Sequence, residues 1–500
     1  MHYNIFNCSV STILIQLLLL ISVDGVAANW PNYKQNPFSI KLSSLQNNIS
    51  GRGGIIVADL NNDGLLDYLV STQINDSGQG RATIGAYDHF GEIIWVLDNV
   101  NIVLNGKAED NGLPGWSGPG LSVSDIDGDG NTEVIHLNLN NDIIIRDGMS
   151  GMVKKKIHVS LPTESIFDRL QRVVKIFWYQ NWKKAKRALI HPAEPEKWTH
   201  FQIVNLRGRD DNDIILQADP LPFRWLKAVS LIDGKTLWEN YEYTGLQHGG
   251  FRAADVDQDG YDEIVGAVFI DHDGSVKNNW RYRKISGHFD SLFIGDVLKE
   301  EPGLEWLLLE ESHDNDDRTT LLGTKDVYFY HSFNGWEPQN AAIGEFDLKK
   351  EGLEIWCRSR FDADQKPWVL DSKGKTIASY RLNDMKPDLW SKKGIEFIYS
   401  IDWDGNGKHY LAAKERHVAG KIAIIDPLTG KFIQWWNENA ARIYVVDIAG
   451  DSREEIVVIN SEENEIHVYW NNKKNDTEKE RYWDLNHYKR QKLNYNYYSP

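Results

Sequence analysis

Asp255-Val256-Asp257-Gln258-Asp259-Gly260-Tyr261-Asp262-Glu263 sets the reading of the chain. Acidic side chains at positions 1, 3, 5 and 9, with glycine at position 6, make a cage of oxygens suited to a hard divalent cation, calcium first. An EF-hand would need about twelve residues and a helix on each side. Here the loop is shorter, and the β-branched run Ile264 to Ile270 that follows reads as a strand.

The loop recurs. Ile56-Val57-Ala58 leads into Asp59, Asn61, Asp63, Gly64 and Asp67. Leu121 to Ser124 leads into Asp125, Asp127, Asp129, Gly130 and Glu133. Weaker copies keep the apolar lead-in and start at Asn205, Asp296, Glu345, Asp402 and Asp447; all but the Asp402 copy also keep an acid eight or nine residues on. The eight starts lie between 41 and 80 residues apart. Such a period, with short strands and Gly-containing turns after each loop, is the signature of four-stranded units that cannot bury their faces alone. The expected fold is therefore all-β, an eight-bladed β-propeller with calcium-binding D-x-D-x-D-G loops. In this reading the complete loops are structural clips, with calcium held by Asp59, Asn61, Asp63 and Asp67, by Asp125, Asp127, Asp129 and Glu133, and by Asp255, Asp257, Asp259 and Glu263. The degenerate loops keep the turn without metal, the Asp402 loop being the candidate exception, and their acids bond to backbone amides instead.

Composition fits one large β-rich body over residues 29–500, because 19 Trp, 21 Tyr and 17 Phe are spread along the chain. A formal charge of −17 disfavours nucleic acid, whose phosphates need a basic partner surface. Residues 1–28 hold an uncharged apolar run, Val10 to Val23, followed by the small residues Val26-Ala27-Ala28, and read as a secretory signal; an N-terminal anchor is the alternative. No later stretch has the ~20 apolar residues of a spanning helix, so stable membrane insertion is not expected. The expected address is extracellular, or periplasmic in a bacterium. With Cys8 inside the signal, Cys357 has no partner for an internal disulfide. Asn48, Asn75 and Asn475 open glycosylation tripeptides. An insertion around 160–200 carries Phe177-Trp178-Tyr179 and the basic cluster Lys183 to Arg187; its two readings are contact with an acidic polysaccharide and a solvated surface excursion.

A second constellation surrounds the Asp255 loop. His248 and Arg252 precede it, His288 and Asp290 precede the Asp296 start, and Glu311 follows the next strand. A His, His, Asp, Glu set can hold a metal or move protons, although an isolated His is more often structural. Trp116 and Trp336 are candidate sugar-stacking residues, most other Trp being packing.

These stretches resemble the family 11 polysaccharide lyases, the rhamnogalacturonan lyases. The likeness is carried by Ala254 to Ile264, by Gly287-His288-Phe289-Asp290 running to Gly295-Asp296, by Pro302-Gly303-Leu304-Glu305 and by Val446 to Glu455. It runs from about Asn205 to the end of the sequence and is weaker before. It implies a calcium-dependent β-elimination on a uronate-containing, pectin-type glycan, with a cleft calcium held by His248, His288, Asp290 and Glu311; a monomer is expected. Where the family carries a Lys in an N-G-T-K run, this chain has Asn437 to Arg442. Arg442 suits carboxylate neutralisation, because a guanidinium does not act as a base. Where the family has a His before the acid matched by Glu311, this chain has Glu310. The base is open between Tyr488 and Lys414. Two other readings compete: a non-catalytic, integrin-like calcium propeller that binds glycan or protein, and a lyase for another uronate polymer.

Overall fold

The structure, a computed structural model, describes residues 33–42, 53–73, 81–103, 120–178, 186, 189–190, 195–209, 212–218, 224–246, 250–280, 289–310, 317–332, 337–359, 366–416, 419–460, 462–473 and 481–494. It is all-β in its body: six four-stranded antiparallel sheets and one of seven strands. The seven-stranded sheet is two meanders sharing one strand. Within the fifteen-residue strand Phe432–Val446, Phe432 to Trp436 pair with the strand Gly420–Ile425, while Ala440 to Val446 pair with Glu455–Asn460. The last meander takes its fourth strand from the start of the described chain, Phe38–Lys41, whose Phe38 lies opposite Val468. Eight four-stranded units result.

The first strand of each unit ends directly before one of the eight loop starts. Gly53–Ala58 runs into Asp59, Leu121–Ser124 into Asp125, His200–Val204 into Asn205 and Arg252–Ala254 into Asp255. Phe289–Gly295, Pro338–Gly344, Ile395–Ile401 and the second half of Phe432–Val446 run into Asp296, Glu345, Asp402 and Asp447. The loops thus share one end of the molecule, and the segments that precede the first strands share the other. First strands of consecutive units lie side by side from the first to the fourth, and again from the fifth to the eighth, whose first strand lies against that of the first unit. The fourth and fifth units meet through a parallel bridge between Leu246 and Phe289.

Burial explains the strands. Ile214 to Leu216, Leu307 to Leu309, Ile355 to Cys357 and Ile456 to Ile459 are inaccessible on both faces, because each sheet packs between two neighbours. Several indoles tie adjacent units together while paying for their own burial by donating to backbone: Trp95 to Gly148 O, Trp238 to His272 O and Trp306 to Gly266 O, at 2.7, 2.8 and 3.0 Å. Cys357 is buried in the sixth unit. The insertion carries the helix Ile166–Trp178, which leaves Ile166, Phe167, Leu170 and Val174 exposed. None of the described helices is long and apolar enough to cross a membrane.

Candidate functional site

The three complete loops fold alike. The acid at position 1 accepts from the amide of the glycine at position 6: Gly64 N to Asp59 Oδ2 at 3.0 Å, Gly130 N to Asp125 Oδ2 at 2.9 Å, Gly260 N to Asp255 Oδ2 at 3.1 Å. That turn needs φ of +85°, +87° and +93°, which glycine adopts without a Cβ clash. The acid at position 9 accepts from the amide at position 2, as in Val256 N to Glu263 Oε2 at 2.9 Å. Degenerate loops keep this last bond: Glu305, Glu354 and Glu455 accept from Val297, Phe346 and Ile448. The amide network is what a chain retains when it needs the turn.

The Asp255 loop has oxygen atoms left over. Asp255, Asp257 and Asp259 bring carboxylate oxygens within 4.8 Å of one another, and so do Asp125, Asp127 and Glu133. Asp255 Oδ1 and Glu263 Oε1 are buried without a hydrogen-bond partner. Burial, reinforced by Asp257, Asp259 and Asp255, pushes the Glu263 carboxyl up to about 9. Burial and Asp259 raise Asp257. Buried carboxylates without a counterion destabilise a fold, so the residues fit a divalent cation. At the Asp125 loop a cation is already present: Lys154 Nζ lies 2.6 Å from Glu133 Oε1 and 3.2 Å from Asp127 Oδ2.

The C-terminal segment closes over the loop end. The one-turn helix Tyr482–Asp484 and the helix Asn486–Leu493 border, with the loops at Asp59, Asp125, Asn205 and Asp255, a polar cavity of about 1070 Å³. Arg490 forms a forked ion pair with Asp262, which is fully buried and also accepts from Asn205 N at 2.6 Å. Tyr488, a candidate base on sequence grounds, sits here. Its hydroxyl donates to Glu454 Oε1 at 2.8 Å and accepts from Asp447 N at 2.9 Å. Burial and the neighbouring Glu454 raise its phenol far above the ordinary value, which keeps the hydroxyl protonated. Arg252 is 2% exposed and donates to Asn494 O at 2.9 Å, so this segment reaches the fourth unit's first strand.

At the opposite end, buried charge gathers where the first strands begin. Asp290, 2% exposed, accepts from Gln339 Nε2, which also donates to Glu337 Oε1 at 2.8 Å. Glu310, at the position where the sequence departs from the family, pairs with Arg318 Nε at 2.7 Å. Register puts Glu310 opposite Phe289, at the end of the sheet away from the Asp296 loop. Arg442 is buried on the eighth unit's first strand, opposite Ile459. Lys414 is buried and donates to Glu415 O at 2.8 Å. Arg358, Gln339 and Glu337 join this belt without a sequence signal, because each resembles any polar residue in a strand until its burial is known. His248, His288, Glu311, Trp116 and Trp336 lie outside the described residues, as do residues 1–32.

Repeated meanders with acidic loops at one end and buried charge at the other define an all-β repeat protein. Residues 224–496, just over half the chain, match the family model described as rhamnogalacturonan lyase family 11, C-terminal domain. The chain belongs to that family. Rhamnogalacturonan endolyase YesW of Bacillus subtilis (strain 168) is 24% identical over 259 residues, which are 46% of this chain and 39% of that protein. Rhamnogalacturonan exolyase YesX of the same organism is 27% identical over 169 residues, 33% of this chain and 27% of the relative. These alignments span less than half of the relatives' length. In three dimensions the exotype lyase YesX superposes with a TM-score of 0.67 at 17% identity, over 93% of this chain and 81% of that one. The rhamnogalacturonan lyase of Bacillus licheniformis gives 0.63 over the same shares. The fold is that of these lyases.

Proposed function

We propose that this protein is a secreted, calcium-dependent polysaccharide lyase that cleaves a uronate-containing glycan, rhamnogalacturonan first, by β-elimination on an eight-bladed propeller. The observation that carries the reading is the family match over residues 224–496, which includes Gly287-His288-Phe289-Asp290 and Pro302 to Glu305. The propeller reading rests on eight four-stranded units whose neighbour relations run in chain order and return from the eighth to the first. The calcium reading of the loops rests on the orphaned oxygens of Asp255 and Glu263.

In this reading His248, His288, Asp290 and Glu311 would hold a cleft calcium, whose charge would acidify the C5 proton of a bound uronate. Arg442 orients the substrate carboxylate as a fixed cation, since its guanidinium keeps its proton. Asp290 is held in place by Gln339, so its carboxylate is positioned before any ligand arrives. A base removes the C5 proton, the C4–O bond to the leaving sugar breaks, and an unsaturated end forms without consuming water. Tyr488 is bound to Glu454 and Asp447. Lys414, bonded to a backbone carbonyl at the other end, is the better-placed candidate of the two.

The test is a panel of uronate polymers read by ultraviolet absorbance. Rhamnogalacturonan should give a rise that a chelator abolishes, and His288→Ala should remove it while circular dichroism and the melting temperature stay unchanged. Binding across the panel with no rise on any polymer would leave a non-catalytic glycan-binding propeller.

A further inference from the structure

The eighth unit holds a side-chain cluster that the lyase reading does not use. The strand Glu465–Tyr469 alternates its side chains, so Glu465, His467 and Tyr469 share one face. Glu463 precedes it in the turn. His467 Nε2 lies 3.2 Å from Glu465 Oε2 and 3.3 Å from Glu463 Oε2. One ring nitrogen carries at most one proton, yet two carboxylate oxygens converge on it.

The other ring nitrogen is fixed. His467 Nδ1 lies 2.8 Å from Oε2 of Glu438, which is 5% exposed. Glu438 Oε2 also accepts from Tyr469 OH, and its Oε1 accepts from Asn439 N at 2.7 Å and from Asn460 Nδ2, the last two residues flanking the same corner. Four donors hold Glu438 as a carboxylate and leave it no lone pair for a ligand; its effect is to keep the Nδ1 proton on His467 and turn Nε2 outward. A buried carboxylate behind a histidine is the arrangement that orients imidazole ligands in metal sites. Three carboxylates surround one imidazole, and none of the described Lys or Arg forms an ion pair with any of them. Lys41, directly across the strand from Glu465, is exposed.

We propose that Glu463, Glu465 and His467, with Glu438 orienting the histidine, bind a first-row transition-metal dication such as zinc. The oxygen-only loops suit calcium; the mixed imidazole and carboxylate set suits a softer ion. The site lies at the far end of the sheet from the loops, because the strand Glu455–Asn460 begins at the loop end and finishes beside Glu438.

The experiment uses the full chain, stripped with chelator, reloaded with excess calcium to fill oxygen sites, and titrated with cobalt(II) as a spectroscopic probe. One equivalent should bind with a visible ligand-field band and be displaced by zinc. His467→Ala should abolish the band, and Glu463→Gln, at an exposed side chain that the fold does not need, should weaken cobalt by about tenfold or more. Glu463→Gln should keep the parent melting temperature in calcium alone, whereas His467→Ala, which strips a donor from the buried Glu438, should melt lower. No cobalt uptake by the parent, or uptake unchanged in Glu463→Gln, overturns the assignment and leaves a protonated histidine bridging the glutamates.

Discussion

Lys154 brings an ammonium from the fourth strand of the second unit into the carboxylates of the Asp125 loop, 2.6 Å from Glu133. Its ammonium would compete with a calcium ion for those oxygens. Lys154→Met should therefore tighten calcium at that loop by about tenfold, read by calorimetric titration, while the Asp255 loop is unchanged. The acids of this loop were legible in the sequence because their spacing is local. Lys154 was not, since its approach depends on strand register. A second residue-scale prediction concerns His136, 1% exposed, whose Nε2 accepts from Arg146 Nε at 3.1 Å. Burial, with Arg146 beside it, lowers its pKa to about 3. The unfolded chain takes up this proton below about pH 6.5 and the folded chain does not, so stability present above pH 6.5 is lost as pH falls toward 3. At pH 5.5 the loss is about 1.4 kcal/mol. His136→Gln should flatten that part of the curve of melting temperature against pH.

Among elements, the C-terminal helix Asn486–Leu493 has the largest unexpected role. Its sequence reads as a polar, aromatic tail, and its contacts are distant: Arg490 with Asp262 and, just past the helix, Asn494 with Ile203. Nothing local could reveal partners more than two hundred residues away. Arg490→Met leaves Asp262 buried and unpaired against the Asp255 loop. Breaking such a pair costs about 3 kcal/mol, and less where, as here, the arginine is partly exposed. The expected outcome is a lower denaturation midpoint and faster proteolysis after Tyr482; equal proteolysis of parent and variant would sink it. The insertion shows the same limit from the other side. Its basic and aromatic composition was plain, but composition does not orient a helix, and Ile166–Trp178 leaves Ile166, Phe167, Leu170 and Val174 exposed.

At the scale of the molecule, the repeat was the legible part. Every loop start found by spacing falls at the end of a first strand, because the apolar lead-in is that strand and the distal acid, where kept, ties the corner to the amide that follows the start. The polar belt at the other end was legible only where a resemblance named it. If the loops carry calcium, chelation should lower stability globally, by about 2.7 kcal/mol per loop for a hundredfold excess of calcium over its dissociation constant. Asp257→Asn should reproduce part of that loss in a thermal melt, with the remaining calcium response intact. A melt indifferent to chelator would refute the clip reading of all three loops.

The eighth unit borrows Phe38–Lys41 to finish a sheet whose other three strands come from the last part of the sequence. That pairing makes completion a late event in synthesis. The strand near the start must wait, unpaired, until residues 465–469 have left the ribosome, and until then the edge of Ile466 to Tyr469 has no cover. Closing so long a loop adds little to the equilibrium cost, which grows only as the logarithm of length, but it places the search at the end of the pathway. Protease resistance in a synchronised translation should therefore appear in one step after the final meander emerges, rather than accumulate unit by unit.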